Sequence, residues 1–577
     1  MKKINLTHFL SYILILIFAA LLINNNFYSF NWTDEGFYLS NIHRVFQGDM
    51  LFADDWSPTQ SYEMLLYPFY TLYLKLNGST DGVYLFFRIL TCLFQALVSF
   101  FTYFILSRKW SLSPSFFASL LPLIFSRACI NGPSYYVVGF ETYLLGLLSL
   151  YAFFEIGFSA FFLVSAGVFL ALAVLCNPYL VLPYTAISAF LLFFPHTRKH
   201  WKKFLIIWIS TIFVAIIYVL TTFKFDRIGD VIKSIHYIFN DPAYGHTLLL
   251  TIKRLYKMPR LLLFPYLLSY LPVIIASVII IRKKITPSEK AKKWLFLLNT
   301  ILFVVSILTN LDCGAATMPF FHYSFFTALI FSDFNIKNLI ILNKKEILYF
   351  VLPGMLLAYF FCYASDTGFG VCSIGITLAD IGMLSIYFKS FPNVNSISGK
   401  KITSLIHFIP ACFLITVTFY YRVNLTYMDT PLRPHILFIP SAHKDAIKIT
   451  EGPAKGLYTG SYLKEQYDRV LTTINNIHPK KGESLLISSI CPWAHLVIPE
   501  LRVSSPTTFR VKFNDYRIKP YFEDFESHNF PEYVLLLDND IFRNNTNEFE
   551  DSWLEEELSR RNYQSEKFSC GTLYKKS

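Results

Sequence analysis

Residues 31–55, Asn31 to Asp55, read NWTDEGFYLSNIHRVFQGDMLFADD and follow directly on the first long apolar run of the chain. They place an acidic pair, Asp34-Glu35, where the chain leaves that run, then a short amphipathic segment, then a second acidic pair, Asp54-Asp55. Burying an unpaired charge is costly, so carboxylates clustered just outside a membrane span point to chemistry at that surface. This loop is the expected reaction site.

The rest of the 577 residues sets the context for that loop. Apolar residues make up 54%, aromatics 18% and charged residues 16%, which excludes an ordinary water-soluble composition. The formal net charge of +12 comes from short basic clusters between apolar runs, the pattern of loops beside anionic lipid, so no nucleic-acid partner is expected. Nine cysteines fall mostly inside apolar runs (Cys92, Cys176, Cys362, Cys412) with no CxxC spacing. Cys491 and Cys570 lie in polar sequence, where a disulfide is an open question. The charged start and apolar core of residues 1–23 lack an A-x-A cleavage site and are read as an uncleaved first span.

A spanning helix needs about 20 apolar residues. By that measure about thirteen spans are expected, at 8–25, 83–106, 114–126, 136–154, 158–175, 179–195, 204–222, 261–281, 295–310, 318–332, 347–364, 369–388 and 405–421. Lys and Arg concentrate in alternate loops: Lys2-Lys3, Arg108-Lys109, HTRKHWKK from His196, RKKITPSEKAKK from Arg282, Lys344-Lys345 and Lys400-Lys401. Those loops are assigned to the cytoplasm. The N-terminus is then inside, and residues 26–82, 223–260 and everything after 421 are outside.

Within the first outer loop, Tyr38, Ile42, Val45 and Phe46 repeat at helical spacing while Ser40, Asn41, His43 and Arg44 take the other face. That pattern predicts a helix lying in the interface plane. A second is expected over 62–76, with Leu65, Leu66, Phe69, Tyr70 and Tyr73 as its apolar side. Two domains follow: a transmembrane catalytic domain over 1–421 and a soluble α/β domain over 422–577. In the latter, LLISSI (485–490) and YVLLL (533–537) read as buried parallel strands, with helices near 462–477 and 549–561.

Once drawn, this topology puts the polar groups of the spans on one side. Arg88 lies about 8 Å inside the second span. Arg127 and Asn177 mark outer ends, as do Asp312 and His322, Glu141 sits one turn deep, and Asp226, Arg227, His236, Asp241 and His246 occupy the 223–260 loop. Each also has a plainer reading. Asp34 fits a helix N-cap, Arg88 a snorkelling side chain, and Glu141 an interhelical hydrogen bond. His236 and His246 fit solvated loop residues, since no HxxxH or HxxE spacing marks a metal site. Lys253, Arg254, Lys257 and Arg260 suit headgroup or lipid-phosphate contacts. No P-loop or GxGxxG motif supports nucleotide binding.

An Asp-Glu pair directly after span one, two interfacial helices, an Arg early in span two and a C-terminal outer domain together resemble the GT-C glycosyltransferases. In this respect the chain resembles the protein O-mannosyltransferases and the lipid A aminoarabinose transferases. Thr33-Asp34-Glu35-Gly36-Phe37-Tyr38 looks like their Asp-Glu-x-x-Tyr loop. The resemblance implies that Asp34 is the catalytic carboxylate, with Asp54 or Asp55 where relatives carry an acidic group before a Pro-rich turn. Here that turn is reduced to Trp56-Ser57-Pro58, and Asn177-Pro178 stands where relatives have Lys-Pro. Family donors are sugars on polyprenyl phosphate, and acceptors are proteins, lipids or glycans. The implied reaction inverts the anomeric centre, with Asp34 as general base. Arg88 and the basic residues of 223–260 would stabilise the departing phosphate, with Arg127, Glu141, Asn177, Arg227, His246 and His322 as the other substrate-binding candidates. No cofactor is assigned, and a divalent metal is left open. Composition rich in Phe, Tyr, Ile, Asn and Lys suggests a bacterial inner membrane with a periplasmic outer face. The rival readings are a lipid-glycan transporter or flippase, which predicts repeated halves and polar groups at the midplane, and a glycan ligase or polymerase working through 223–260.

Overall fold

The computed structural model describes residues 6–57, 59–127, 130–193, 201–239, 269–309, 316–364, 369–391, 407–424, 446–488, 490–509, 516–538 and 552–577. It is a mainly helical, polytopic membrane protein with a small α/β domain at its C-terminal end. The helices in order are α1 (Leu6–Asn25), α2 (Asp34–Phe46), α3 (Glu63–Asn77), α4 (Val83–Leu106), α5 (Leu112–Ile124), α6 (Tyr135–Tyr151), α7 (Phe161–Cys176) and α8 (Val181–Phe193). Beyond these come Trp201–Thr222, Leu271–Lys283, Glu289–Thr309, Thr317–Phe331, Leu352–Ala364, Phe369–Lys389 and Ile409–Asn424. Every expected span therefore carries a helix. Among the described residues seven are long and apolar enough to cross a membrane, or up to eight if the bent pair Thr317–Phe331 and Ile336–Leu342 counts as one.

Position in the bundle follows from composition. Trp201–Thr222 is apolar all round and leaves Ile209, Phe213 and Leu220 exposed, as a lipid-facing helix does. Tyr135–Ile156 and Val371–Lys389 bury 89% and 94% of their most apolar windows and form the centre. α5 stops short because Pro122 cannot donate to its ladder and Phe125 turns extended, with ψ 133°. Three ion pairs gather basic loops at one end: Lys345 with Glu155, Lys389 with Glu346, and Lys292 with Asp333. The other end carries the first loop and the α/β domain.

That domain opens with a small antiparallel ribbon, β1 (Ile447–Lys448) and β2 (Tyr458–Thr459). Its main sheet contains β3 (Ser484–Ser488), β4 (Arg502–Val503), β5 (Tyr533–Leu537), β6 (Gln564–Phe568) and β7 (Gly571–Lys575), in the order β4-β3-β5-β7-β6. β3 pairs in parallel with β4 and β5, as their continuous apolar runs predict, while β7 runs antiparallel to β5 and β6. Helices at Ser461–Asn475 and Trp553–Arg560 lie within the expected stretches, apart from one residue at the start of the first.

The first loop departs from expectation. A helix in the interface plane would keep one face wet, yet α2 is buried from Glu35 through Arg44. Its polar side meets the α/β domain instead of water. The Ser40 hydroxyl lies 2.7 Å from that of Thr508, and Thr508 donates to Asn41 Oδ1 at 2.7 Å. Gln47 donates to the carbonyls of Pro499 and Leu501. Its apolar residues join one continuous core with the domain, in which Phe30, Trp32 and Tyr84 meet Tyr467 and Trp493. α3 buries Leu66 and Tyr70 and exposes Phe69, Leu72 and Leu76, so it alone of the two presents a broad apolar face.

Candidate active site

Asp34 is the first helical residue of α2. Thr33 precedes it without making a side-chain cap, and Asn31 Oδ1 accepts the Glu35 N–H at 3.2 Å. The capping role thus falls to Asn31 and leaves the Asp34 carboxylate for something else. From Asn31 to Arg44 every residue is buried except Asp34, which keeps partial exposure. Among the described residues its carboxylate has no hydrogen-bond or ion-pair partner. Burial pushes its pKa up to about 6, against the pull of Arg127 and with a further push from Glu35.

Glu35 has the opposite fate. Arg88 grips it with Nη2 at 2.5 Å and Nε at 3.0 and 3.2 Å, and both side chains are 2% exposed. The other arm of Arg88 donates to the carbonyls of Asn26, Tyr28 and Ser29. The expectation that Arg88 reaches a lipid phosphate gives way to this structural use: its donors stitch the end of α1 to the start of α2. Glu35, expected as a catalytic acid, is likewise the buried counter-ion of Arg88. Two glycines close the packing. A Cβ on Gly36 would sit 2.7 Å from Tyr84 Oη and 2.9 Å from the Trp493 backbone nitrogen, and one on Gly132 2.9 Å from Glu35 Oε1. The turn before α6 therefore lies directly against the acidic pair.

That turn carries Arg127, whose guanidinium carbon is 4.0 Å from the centroid of the Tyr136 ring. Tyr38 meets Tyr62 and Tyr135 edge-on, at 6.1 and 5.9 Å between centroids, and Tyr135 packs on Tyr136 at 4.2 Å. Burial and the nearby Asp34 charge keep the Tyr38 phenol un-ionised. The arrangement is a carboxylate within the electrostatic reach of an arginine, beside a cluster of aromatic rings.

The second acidic pair does not join it. Asp54 receives Arg227 through two bonds of 2.8 and 2.9 Å, lies 3.0 Å from His528 Nε2, and accepts the Met50 N–H at 2.7 Å. Burial alone would raise its pKa, but His528 and Arg227 outweigh that and hold it below the usual carboxylate range. Asp55 accepts both the N–H and the hydroxyl of Ser57 and faces Arg44 at 3.9 Å. Arg227, expected at a phosphate, is committed to Asp54 and Asp230.

Three further candidates have structural partners. Glu141 is fully buried inside the bundle, 3.4 Å from Gln95 Nε2, which is the plainer of its two readings. Asn177 caps the short turn Pro178–Leu180 by accepting the Tyr179 N–H at 3.1 Å. His322 has Nδ1 2.8 Å from the Met318 carbonyl and stacks on Tyr270. His246, Asp241, Asp312 and the basic residues 253–260 lie outside the described residues. Both Cys491 and Cys570 are free thiols. Among the described residues no three His, Cys, Asp or Glu side chains are grouped so as to hold a metal ion. A groove of about 540 Å³ lined by Phe46, Lys481 and Arg502 lies at the opposite end of α2 from Asp34.

Sequence reasoning passed over Gln95, Arg422 and His528. The first is a polar residue in mid-span, which is itself a signal. The other two look like ordinary surface residues until their partners are known.

No family model and no curated protein matches the chain. Among solved structures, the archaeal oligosaccharyltransferase AglB from Archaeoglobus fulgidus, in complex with an inhibitory peptide and a dolichol-phosphate, is similar at 12% identity and a TM-score of 0.45. The match covers 99% of this chain and 74% of that one.

Proposed function

We propose that this protein is a membrane glycosyltransferase that moves a sugar from a polyprenyl-phosphate donor to a hydroxyl acceptor at the outer face, with Asp34 as general base. The observation that carries this reading is the contrast within the first loop. Of the four acids in the two pairs, Asp34 keeps the most exposure and has no described bonding partner, whereas Glu35, Asp54 and Asp55 are consumed by structure.

A base of pKa about 6 is ionised at neutral pH and still close enough to the working range to take a proton from a hydroxyl as that hydroxyl attacks. Attack on the anomeric carbon breaks its bond to the phosphate oxygen, so the polyprenyl phosphate leaves with the electron pair. Arg127, whose charge acts on Asp34, supplies positive charge for that group. One displacement inverts the anomeric centre. The aromatic wall of Tyr38, Tyr135 and Tyr136 suits a sugar face. A donor with a lipid tail matches a site at the bilayer surface, since the tail stays in lipid. The acceptor is a glycan, lipid or protein hydroxyl, and the membrane is the bacterial inner membrane, with the α/β domain on its outer side.

The test is transfer by purified protein from radiolabelled polyprenyl-phosphate sugars to a panel of glycan, lipid and peptide acceptors. Asp34→Asn is expected to lower turnover by about 10²–10⁴-fold, the usual worth of a general base, with an unchanged elution profile. The wild-type rate should fall as pH drops through about 6, because the protonated carboxyl cannot act as base. Full activity in Asp34→Asn would end the proposal.

A further inference from the structure

Gln95 and Arg422 meet inside the helical bundle. Arg422 Nη2 donates to Gln95 Oε1 at 2.8 Å, and its Nη1 donates to the carbonyls of Leu123 and Phe125 at 2.5 and 3.0 Å. Gln95 Nε2 donates to the carbonyls of Pro122 and Phe125 at 3.2 and 2.8 Å. Both side chains are buried, Arg422 at 3% exposure and Gln95 at none. They act on the place where α5 breaks. There the carbonyls of Pro122, Leu123 and Phe125 have no helical N–H ahead of them, and left bare in an apolar interior each would be costly.

The segment these donors hold leads straight to the candidate site. Arg127 is two residues beyond Phe125. The turn closes with Ser126 Oγ donating to the Ile130 carbonyl at 2.5 Å and Ile130 N–H donating to the Arg127 carbonyl at 3.1 Å. Gly132 then packs against Glu35. Only Ser126 stands between Phe125, whose carbonyl the Arg422 fork holds, and Arg127, whose charge acts on Asp34.

We propose that Arg422, acting with Gln95, is a positioning residue for Arg127: it pins the broken end of α5 and so fixes the turn that carries Arg127. The inference rests on the reading of Asp34 and Arg127 as the reaction centre. Arg422 ends the last described span before the α/β domain, so the same fork ties that span to the site.

The experiment needs no substrate. A hydrophobic carbodiimide, dicyclohexylcarbodiimide, modifies protonated carboxyls, and mass spectrometry of the peptide containing Asp34 gives its labelling midpoint against pH in intact protein. The charges acting on Asp34 are Arg127 and Glu35, with the Tyr38 phenol beside them. Arg127→Gln should raise the midpoint by about one pH unit, the usual effect of removing a neighbouring arginine. Arg422→Gln should raise it in the same direction, and Arg127→Gln with Arg422→Gln should go no further than Arg127→Gln alone. Arg422→Lys, which keeps the charge but loses the fork, should recover part of the shift.

Gln95→Met, an isosteric change, provides the same comparison if Arg422→Gln is not recovered from the membrane. A midpoint unmoved by Arg422→Gln and Gln95→Met while Arg127→Gln shifts it would overturn the positioning role, as would additive shifts in the double variant. A midpoint unmoved by Arg127→Gln would instead overturn the pairing of Arg127 with Asp34, and with it the proposed centre.

Discussion

At the scale of single residues, Asp34 is held at a pKa of about 6 against an ordinary value of 3.8, so the folded protein binds its proton more readily than the unfolded chain. Whatever stability this group contributes is complete below 3.8 and is lost as pH rises through about 6. Asp34→Asn removes the charge that burial penalises. It should raise the melting temperature above pH 6 and leave it unchanged near pH 4. The full shift corresponds to about 3 kcal/mol, and partial solvation reduces the expected gain to about 1–2 kcal/mol. Calorimetry at the two pH values checks this, and a gain that is equal at both would refute the cause. Glu35 predicts the reverse. Glu35→Gln leaves the Arg88 guanidinium buried with three carbonyls and no counter-charge. A loss of about 3–5 kcal/mol is expected, read from detergent-solubilised thermal melts.

Among the elements, the transmembrane helices were legible because runs of apolar residues of this length have few alternatives. The surroundings of α2 were not. Ser40 and Asn41 have the same pattern whether water or protein satisfies them, and the partner that does so, Thr508, lies more than 450 residues away. The candidate site shows the same division. Asp34 stood out as a candidate from its place after the first span. That Arg88 serves Glu35 could not, because sequence gives no sign of which acid of an adjacent pair faces inward. Gly36 tests the contact between α2 and the turn Pro492–Leu496. An added methyl would meet the buried Tyr84 hydroxyl and the Trp493 backbone, which cannot give way, so Gly36→Ala should cost about 1–3 kcal/mol. It should also speed tryptic cleavage within the α/β domain. Unchanged cleavage would show that this contact is not tight.

Across the whole molecule, Asp54 joins three distant segments: the first loop, residues 225–239 through Arg227, and the α/β domain through His528. Trp56 stacks on Tyr237 at 5.0 Å and meets Tyr521 and Phe525 beside the same junction. Arg227→Ala should release residues 225–239 from this junction, at about 1–3 kcal/mol given that Arg227 is partly exposed. Faster hydrogen exchange confined to 225–239 and 518–528 is the expected signature, and a uniform change would argue for global loosening. Because its ion partners hold Asp54 below the ordinary carboxylate value, the junction's contribution is complete above pH 3.8 and fades only in stronger acid. The interior shared by Phe30, Trp32, Tyr467 and Trp493 has a further consequence for how such a protein can change. A chimera that exchanged the α/β domain for that of another protein would strip the neighbouring loop of half its lining, so domain and loop must be inherited, and redesigned, as one piece.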